Sequence, residues 1–332
     1  MKVAVVDLGT NSARLLLAAV EDGVVHDVAR LTTVTRLGAG VDRQRRIDSG
    51  AAARTRSCLA GYAARVAAYG PDARLLVATS ALRDAADGRA FLDGLTAEFD
   101  LPAEILSGEQ EAALSYAGAL SGSAAAVALP AQRPAVVGPP SECPAAAPPP
   151  QRPAAAVIDI GGGSLELAVG TPPAPEPSFV CSLDIGVVRL TERFFASDPP
   201  AEGQWRAAES FVRATLAAAL PGDVRAAVGR GIGLAGTFTT LVAHKLALRT
   251  YDRALVHGHE LTLADLDAAL TAFRRMSGAA RGRLPGIQPG REDVILAGVL
   301  LAREVCRLFD LAGVRVSEAD LLDGVALRLA RG

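Results

Sequence analysis

Val5–Leu15 reads VVDLGTNSARL, and Val157–Leu167 reads VIDIGGGSLEL. With Asp7 laid on Asp159, both are apolar-Asp-apolar-Gly, two small residues, Ser and a return to apolar residues, 152 positions apart. A short apolar run ending in Asp-x-Gly, then small residues and a second apolar run, predicts a buried strand, a tight turn and a returning strand. Glycine admits positive φ and close approach, so the backbone N–H groups of such a turn can form a concave anion-binding nest. Thr10, Asn11, Ser12 and Ser164 add hydroxyl and amide donors. An aspartate at the strand end is placed to hold Mg²⁺ directly or through water, because Mg²⁺ prefers carboxylates, waters and phosphate oxygens. One copy alone reads as an ordinary Gly-rich hairpin. An acid repeated in register is what a phosphate clamp between two lobes requires and a hairpin does not.

Outward from the first copy, KVAVVD, ARLLLAAV and GVVHDVARLTT read as three strands separated by turn residues. Helical spacing runs from Ser49 to Tyr69; ARLLVATS returns to strand, LRDAADGRAFLDGLTAEF to helix, AEIL to a short strand, and a helix opens at Ser107. This alternation indicates an α/β layer architecture. From Ser121 to Pro153 the chain is Pro/Ala-rich and reads as an extended linker or surface insertion. The second copy follows at once. Residues 1–120 are therefore expected to form one lobe, 121–153 the linker or insertion, and 154–332 a second lobe. In that second lobe helices are expected near Val187–Phe195 and Glu202–Leu220, then a strand into GIGLAG, then helices to the C-terminus.

Composition narrows the class. At 332 residues, 50% of them hydrophobic, the chain suits two domains with sizeable cores. The net charge of −2 excludes a globally basic nucleic-acid binder. The four cysteines are widely spaced, which argues against a disulfide framework or zinc site and fits a reducing cytosol. The N-terminal apolar run is too short for a signal peptide, and no long uncharged apolar run follows. A soluble cytoplasmic protein without membrane or nucleic-acid partners is expected.

Other motifs carry two readings each. In ILSGEQEA, Ser107 and Gln110 form a capping-box pattern and Glu109 and Glu111 suit a helix N-terminus, while either glutamate could serve as a general base for water. Thr79 and Ser80 of TSALRDA suit a helix cap with Arg83 solvated; alternatively Arg83 meets a phosphate. Glu166 either lies on a solvated strand face or joins Asp159 as a metal ligand. Gly231-x-Gly233-x-x-Gly236 resembles a dinucleotide fingerprint, but its downstream context favours Gly236 and Thr237 meeting an anion at a helix start. His257, His259 and Glu260 lie close in sequence without a matching ligand pair elsewhere. Arg-rich stretches, eight between Arg30 and Arg65 and five between Thr271 and Arg291, are solvated faces or an electropositive path for a polyanion.

Taken in order, VVDLGTNSARL, TSALRDA, ILSGEQEA, VIDIGGGSLEL, GLAGTFTTLVA, VHG and LPGIQPGREDVILAG resemble the exopolyphosphatase/guanosine pentaphosphate phosphatase (Ppx/GppA) family, which belongs to the actin, sugar-kinase and heat-shock chaperone superfamily. The resemblance spans nearly the whole chain apart from the Pro/Ala-rich stretch. It implies two actin-like (ribonuclease H-like) lobes flanking an active-site cleft, a short actinobacterial-type form without the extra helical domain, and a homodimer. It also implies Glu111 as catalytic base, with phosphate held by Gly9, Thr10, Asn11, Ser12, Gly161, Gly162, Gly163, Ser164 and Arg83. Mg²⁺, or Mn²⁺ in its place, is implied at Asp159 and Glu166, with Asp7 as first-lobe counterpart. Leu165 stands where the family often has Thr, and the 48 positions from Glu111 to Asp159 exceed the family's usual gap. The implied activity is Mg²⁺-dependent release of terminal orthophosphate from inorganic polyphosphate. Hydrolysis of guanosine pentaphosphate (pppGpp), a stringent-response alarmone, is the alternative within that chemistry. An ATP-dependent kinase of the same superfamily, or a silent polyphosphate-binding protein, are the alternatives outside it.

Overall fold

The computed structural model describes residues 1–121 and 152–332. The reading of the Pro/Ala-rich stretch as linker or insertion lies outside the described residues.

The duplication extends from one loop to a whole sheet. In the first lobe β1 (Lys2–Leu8), β2 (Ser12–Glu21) and β3 (Val24–Val34) form an antiparallel meander. Against β1 lies β4 (Ala73–Ala78) in parallel, followed by β5 (Ala103–Ile105). In the second lobe β6 (Ala154–Ile160), β7 (Leu165–Gly170) and β8 (Phe179–Leu183) repeat the meander. There β6 pairs in parallel with β9 (Val228–Leu234), and β10 (Glu260–Thr262) and β11 (Gly313–Val316) complete the sheet. The strand orders are β3-β2-β1-β4-β5 and β10-β11-β9-β6-β7-β8. Helices were expected after GIGLAG; β10 and β11 are the correction. Both are short and sit among helices, where three or four residues show no period of their own.

Successive side chains of a strand point to opposite faces, and the two faces of each sheet meet different partners. Leu15, Leu17 and Leu76 pack with Leu59, Tyr62, Leu92 and Leu95 of the Ser49–Tyr69 and Gly88–Phe99 helices. The opposite face, through Val3, Val5 and Leu16, is covered by Leu322, Val325 and Ala326 of the C-terminal helix Leu321–Arg331. In the second lobe Ala156, Ile158 and Leu167 belong to the large core with the Glu202–Ala219 and Ile295–Leu308 helices. Its opposite face, through Val157, Ala168 and Ile232, is covered by Ala112, Tyr116 and Ala119 of the Gly108–Ser121 helix. Each lobe thus lends one helix to the other. The two lent helices cross so tightly that a side chain on Gly118 would meet the Asp320 carbonyl at 1.9 Å, and one on Gly324 the Leu114 carbonyl at 2.0 Å.

This exchange positions the acids. Asp7 shares the β1 face of Val3 and Val5, toward the C-terminal helix; Asp159 and Glu166 share the face of Val157 and Ala168, toward the Gly108–Ser121 helix.

Candidate active site

The two Asp-x-Gly hairpins close in the same way. The Gly9 amide donates to the Ser12 carbonyl at 3.0 Å, and the Gly161 amide to the Ser164 carbonyl at 3.0 Å. Their carbonyls are taken up by the segment that follows in space. Gly38 donates to Thr10 at 2.8 Å; Val187 and Val188, at the start of the Val187–Phe194 helix, donate to Gly161 and Gly162 at 3.0 and 2.8 Å. In a trans peptide the C=O and the next N–H point opposite ways, so these bonds aim the amides of Asn11, Gly162 and Gly163 away from that support. Among the described residues none of the three amides meets an acceptor. The turns also abut. A first side-chain carbon on Gly162 would sit 2.8 Å from Thr10 Cβ, and one on Gly163 2.7 Å from Thr10 Oγ1. The glycines of the second copy are therefore demanded by the bulk of the first.

Four buried carboxylates surround these turns. Asp7 accepts from Arg14 Nε at 2.9 Å, and Arg14 also pairs with Asp320, the N-cap of the C-terminal helix. Asp159 accepts from Ser115 Oγ at 2.8 Å, Glu166 from Ser182 Oγ at 2.7 Å, and Glu111 from Arg83 Nη1 at 3.3 Å. Burial penalises the charged form of every one. It raises Asp7 against the opposing pull of Arg14 and raises Asp159 to about 6. Glu166 is pushed to about 8 by burial and the facing charge of Asp159. Glu111 stands well above the ordinary glutamate range, through burial first and then Glu166 and Asp159. Among the described residues Asp7 Oδ1, Glu166 Oε2 and Thr10 Oγ1 are buried without a hydrogen-bond partner.

A cleft of about 730 Å³ opens beside the turns. It brings together Asp7, Asn11, Ser12, Glu111, Asp159, Gly161, Gly162, Gly236 and Thr237. The remaining expected site residues stand outside its lining. Gly9, Thr10, Gly163 and Ser164 support the turns, Glu166 lies beneath Asp159 as its cross-strand partner, and Arg83 is turned toward Glu111 and the Leu106 carbonyl. Ser107 and Gln110 do form the reciprocal capping box, at 2.8 and 3.1 Å. That box fixes the first turn of the helix whose next residue, Glu111, is buried while Glu109 is exposed. Thr79 stands at its helix N-cap without a side-chain capping bond.

Sequence reasoning passed over several cleft residues. Arg14 lies inside the quoted motif, and aligning the copies places it opposite Glu166 in register, which was the available signal. Arg291 lies in LPGIQPGREDVILAG; its guanidinium packs on Gly236, at the start of the Ala235–Lys245 helix, and burial lowers its pKa with Arg14 nearby. Arg30 is tied to Asp27 and Asp323, and Arg253 reaches across from the second lobe to Asp27. Gly231 and Gly233 lie within β9 against Val314 and Phe238, which accounts for the spacing as packing. His257 Nδ1 accepts from the Glu318 amide at 3.1 Å.

Among the described residues no group of three or more His, Cys, Asp or Glu side chains could hold a metal ion by itself. Mg²⁺ is ordinarily held by one or two carboxylates, with waters and substrate phosphates completing its shell. Asp159 and Asp7 on the cleft wall, with the orphaned oxygens of Asp7 and Glu166, fit that donor set.

The model of the Ppx/GppA phosphatase family matches residues 16–129 and 150–331. Exopolyphosphatase 2 of Mycobacterium tuberculosis is 38% identical, covering 99% of this chain and 98% of that protein. The crystal structure of an exopolyphosphatase-like protein superimposes with a TM-score of 0.84 at 32% identity, over 100% of this chain and 99% of that one. The Aquifex aeolicus Ppx/GppA family member superimposes with a TM-score of 0.77 at 27% identity, over 100% and 98%.

Proposed function

The chain belongs to the Ppx/GppA phosphatase family, and on that premise we propose that it is an exopolyphosphatase, releasing terminal orthophosphate from inorganic polyphosphate with Mg²⁺. The observation that carries the reading is the pair of abutting turns whose Asn11, Gly162 and Gly163 amides meet no acceptor among the described residues, beside buried carboxylates. A cluster of amides alone suits many anions; with acids beside it, the arrangement suits a phosphate carried with a divalent cation.

In this reading the terminal phosphoryl group lies in the cleft against the abutting turns, its oxygens on the Asn11 and Gly162 amides that line it. Asp159, with Asp7 and with Glu166 behind, would hold Mg²⁺, which would neutralise charge on phosphate oxygens. Glu111 orients a water and accepts its proton as the water oxygen attacks phosphorus. The bridging P–O bond breaks and its electron pair stays on the shortened chain. A carboxylate whose pKa is raised toward neutrality is a stronger base than an ordinary glutamate, and Arg83 holds Glu111 in place. Arg291 and the Gly236–Thr237 helix start face the departing chain. Positioning and electrostatics supply most of the catalysis in such transfers.

Guanosine pentaphosphate is the second reading, favoured by Tyr251, Leu248, Ile287 and Pro289 on the outer cleft wall, which offer apolar surface to a nucleoside. Phosphate release measured side by side on short polyphosphate, long polyphosphate and the pentaphosphate, with Mg²⁺ and with a chelator, tests both. Release from polyphosphate is expected to be fastest and to need Mg²⁺. Failure on both substrates with ATP consumed in the presence of a sugar would replace the hydrolase reading by a kinase.

A further inference from the structure

Arg189 belongs to the second lobe, on the Val187–Phe194 helix, and does not line the cleft. Only 8% of it is exposed. Its Nε donates to the Gly163 carbonyl at 3.0 Å, at the tip of the second turn. The guanidinium also crosses to the first lobe: Nη1 donates to Asp42 at 2.6 Å, and Nη2 to Asp84, with Ser80 Oγ at 3.5 Å and the exposed Asp184 of its own lobe at 3.7 Å. Asp42 lies on the Val41–Gln44 helix, three residues beyond the Ala39 amide, in the segment whose Gly38 ties the first turn; Asp84 lies on the Ser80–Asp84 helix against which Gly163 packs. One side chain therefore touches the supports of both turns.

We propose that Arg189 is a positioning residue that sets the spacing and orientation of the two phosphate-gripping turns. The bond to Gly163, beside the Gly186 amide that donates to the same carbonyl at 3.1 Å, helps to fix the plane of the Gly163–Ser164 peptide, and the pair with Asp42 and Asp84 fixes where that plane stands relative to the first turn. A planar guanidinium with its fork of donors can satisfy three acceptors in fixed directions; an ammonium cannot hold the same geometry. Other ion pairs between the lobes stand elsewhere. Arg14–Asp320 and Arg30–Asp323 are largely buried at the start of the C-terminal helix, Arg36–Asp293 is half exposed on both sides, and Arg253–Asp27 is partly exposed. Exposed pairs contribute little, whereas removing one partner of a buried cluster leaves uncompensated charge. Arg189 is thus the buried link at the turns themselves, apart from the largely buried pairs at the C-terminal helix.

This inference rests on the reading of the turns as a phosphate grip, and its test separates the two. Arg189→Ala and Arg189→Lys are compared with the unaltered full-length chain by phosphate release from short polyphosphate with Mg²⁺, and by hydrogen exchange without substrate. Misplacing reacting groups by about an ångström can cost about 10²-fold, so kcat of Arg189→Ala is expected to fall on that scale, and Arg189→Lys to recover part of it. Millimolar guanidinium is expected to restore Arg189→Ala in part, with ammonium at equal ionic strength without effect. Exchange is expected to rise in the Gly161–Ser164 and Gly38–Asp42 segments and not in the central strands. Wild-type kinetics with unchanged exchange in those segments would overturn the proposal, as would exchange rising across both sheets. An unaltered chain inactive on polyphosphate would instead overturn the functional reading, and the exchange comparison would then decide the role of Arg189.

Discussion

Arg14 and Glu166 stand at the same place in the two hairpins and carry opposite charges. Arg14 is the cross-strand partner of Asp7 in the β1–β2 ladder, and Glu166 is the cross-strand partner of Asp159 in the β6–β7 ladder. The duplicated loop is therefore charge-asymmetric at its base. One aspartate is neutralised by its partner, while the other is reinforced by a second carboxylate. If the chain binds a divalent cation, the second hairpin is expected to contribute most to it, with Asp7 engaged mainly by Arg14.

Glu166→Gln is accordingly expected to raise the Mg²⁺ concentration for half-maximal phosphate release by on the order of 10- to 100-fold, the loss usual for partners of a metal site. Asn11→Ala is expected to raise KM for polyphosphate instead, with little change in Mg²⁺ requirement. Mg²⁺ titrations of the two variants at saturating and at low substrate separate these effects. Equal Mg²⁺ requirement in both would refute the asymmetry.

Glu111→Gln removes a base but not bulk. Phosphate release is expected to fall by about 10²- to 10⁴-fold, with KM little altered. Stability should not fall with it, because the change relieves a buried carboxylate facing Glu166 and Asp159. Steady-state kinetics together with a thermal melt checks both halves. Full activity in Glu111→Gln would transfer the role of base to another group.

Gly118 sits where the two exchanged helices cross, against the Asp320 carbonyl. Gly118→Ala should therefore cost about 1–3 kcal/mol through overpacking, readable as a lowered urea midpoint. Because Asp320 is also the partner of Arg14, activity should drop beyond what lost stability explains. Gly61→Ala, on an exposed face of the Ser49–Tyr69 helix with nothing within 4 Å, should leave activity unchanged and raise the midpoint, because alanine is the better helix former by about 1 kcal/mol.

Much of this arrangement was legible in the sequence because it rests on local signals. The repeated Asp-x-Gly loop, the helix over Ser49–Tyr69 and the capping box before Glu111 each show within a dozen residues, and the structure has all three. What could not be read is what depends on contact between distant segments. Nothing local says that Gly118 must admit Asp320, or that Gly162 is small because Thr10 is beside it. The direction of Arg83 toward Glu111, the depth of Glu166 and the convergence of Arg14 with Asp320, 306 positions on, are products of the helix exchange. The short strands β10 and β11 escaped for the same reason, since their identity comes from pairing with each other and with β9.

The raised carboxylates give the fold a pH dependence of definite sign. In the folded chain Asp159 titrates near 6 and Glu166 near 8, and Glu111 is raised well above its ordinary value; in the unfolded chain all three titrate near about 4. Between those limits the folded state binds more protons than the unfolded one, so stability falls as pH rises. Without divalent cation, the melting temperature is expected to decline from about pH 5 to about pH 8. A cation held by these carboxylates binds their charged forms, which opposes that loss. The stabilisation by Mg²⁺ should then be small near pH 5 and largest near pH 8, since proton and metal compete for the same oxygens. Thermal melts across this range, with Mg²⁺ and with chelator, check the sign directly. In Glu166→Gln both the decline and the Mg²⁺ increment should shrink together, because one removed carboxylate is responsible for part of each. A decline that persisted unchanged in Glu166→Gln would place the titration elsewhere and separate it from metal binding.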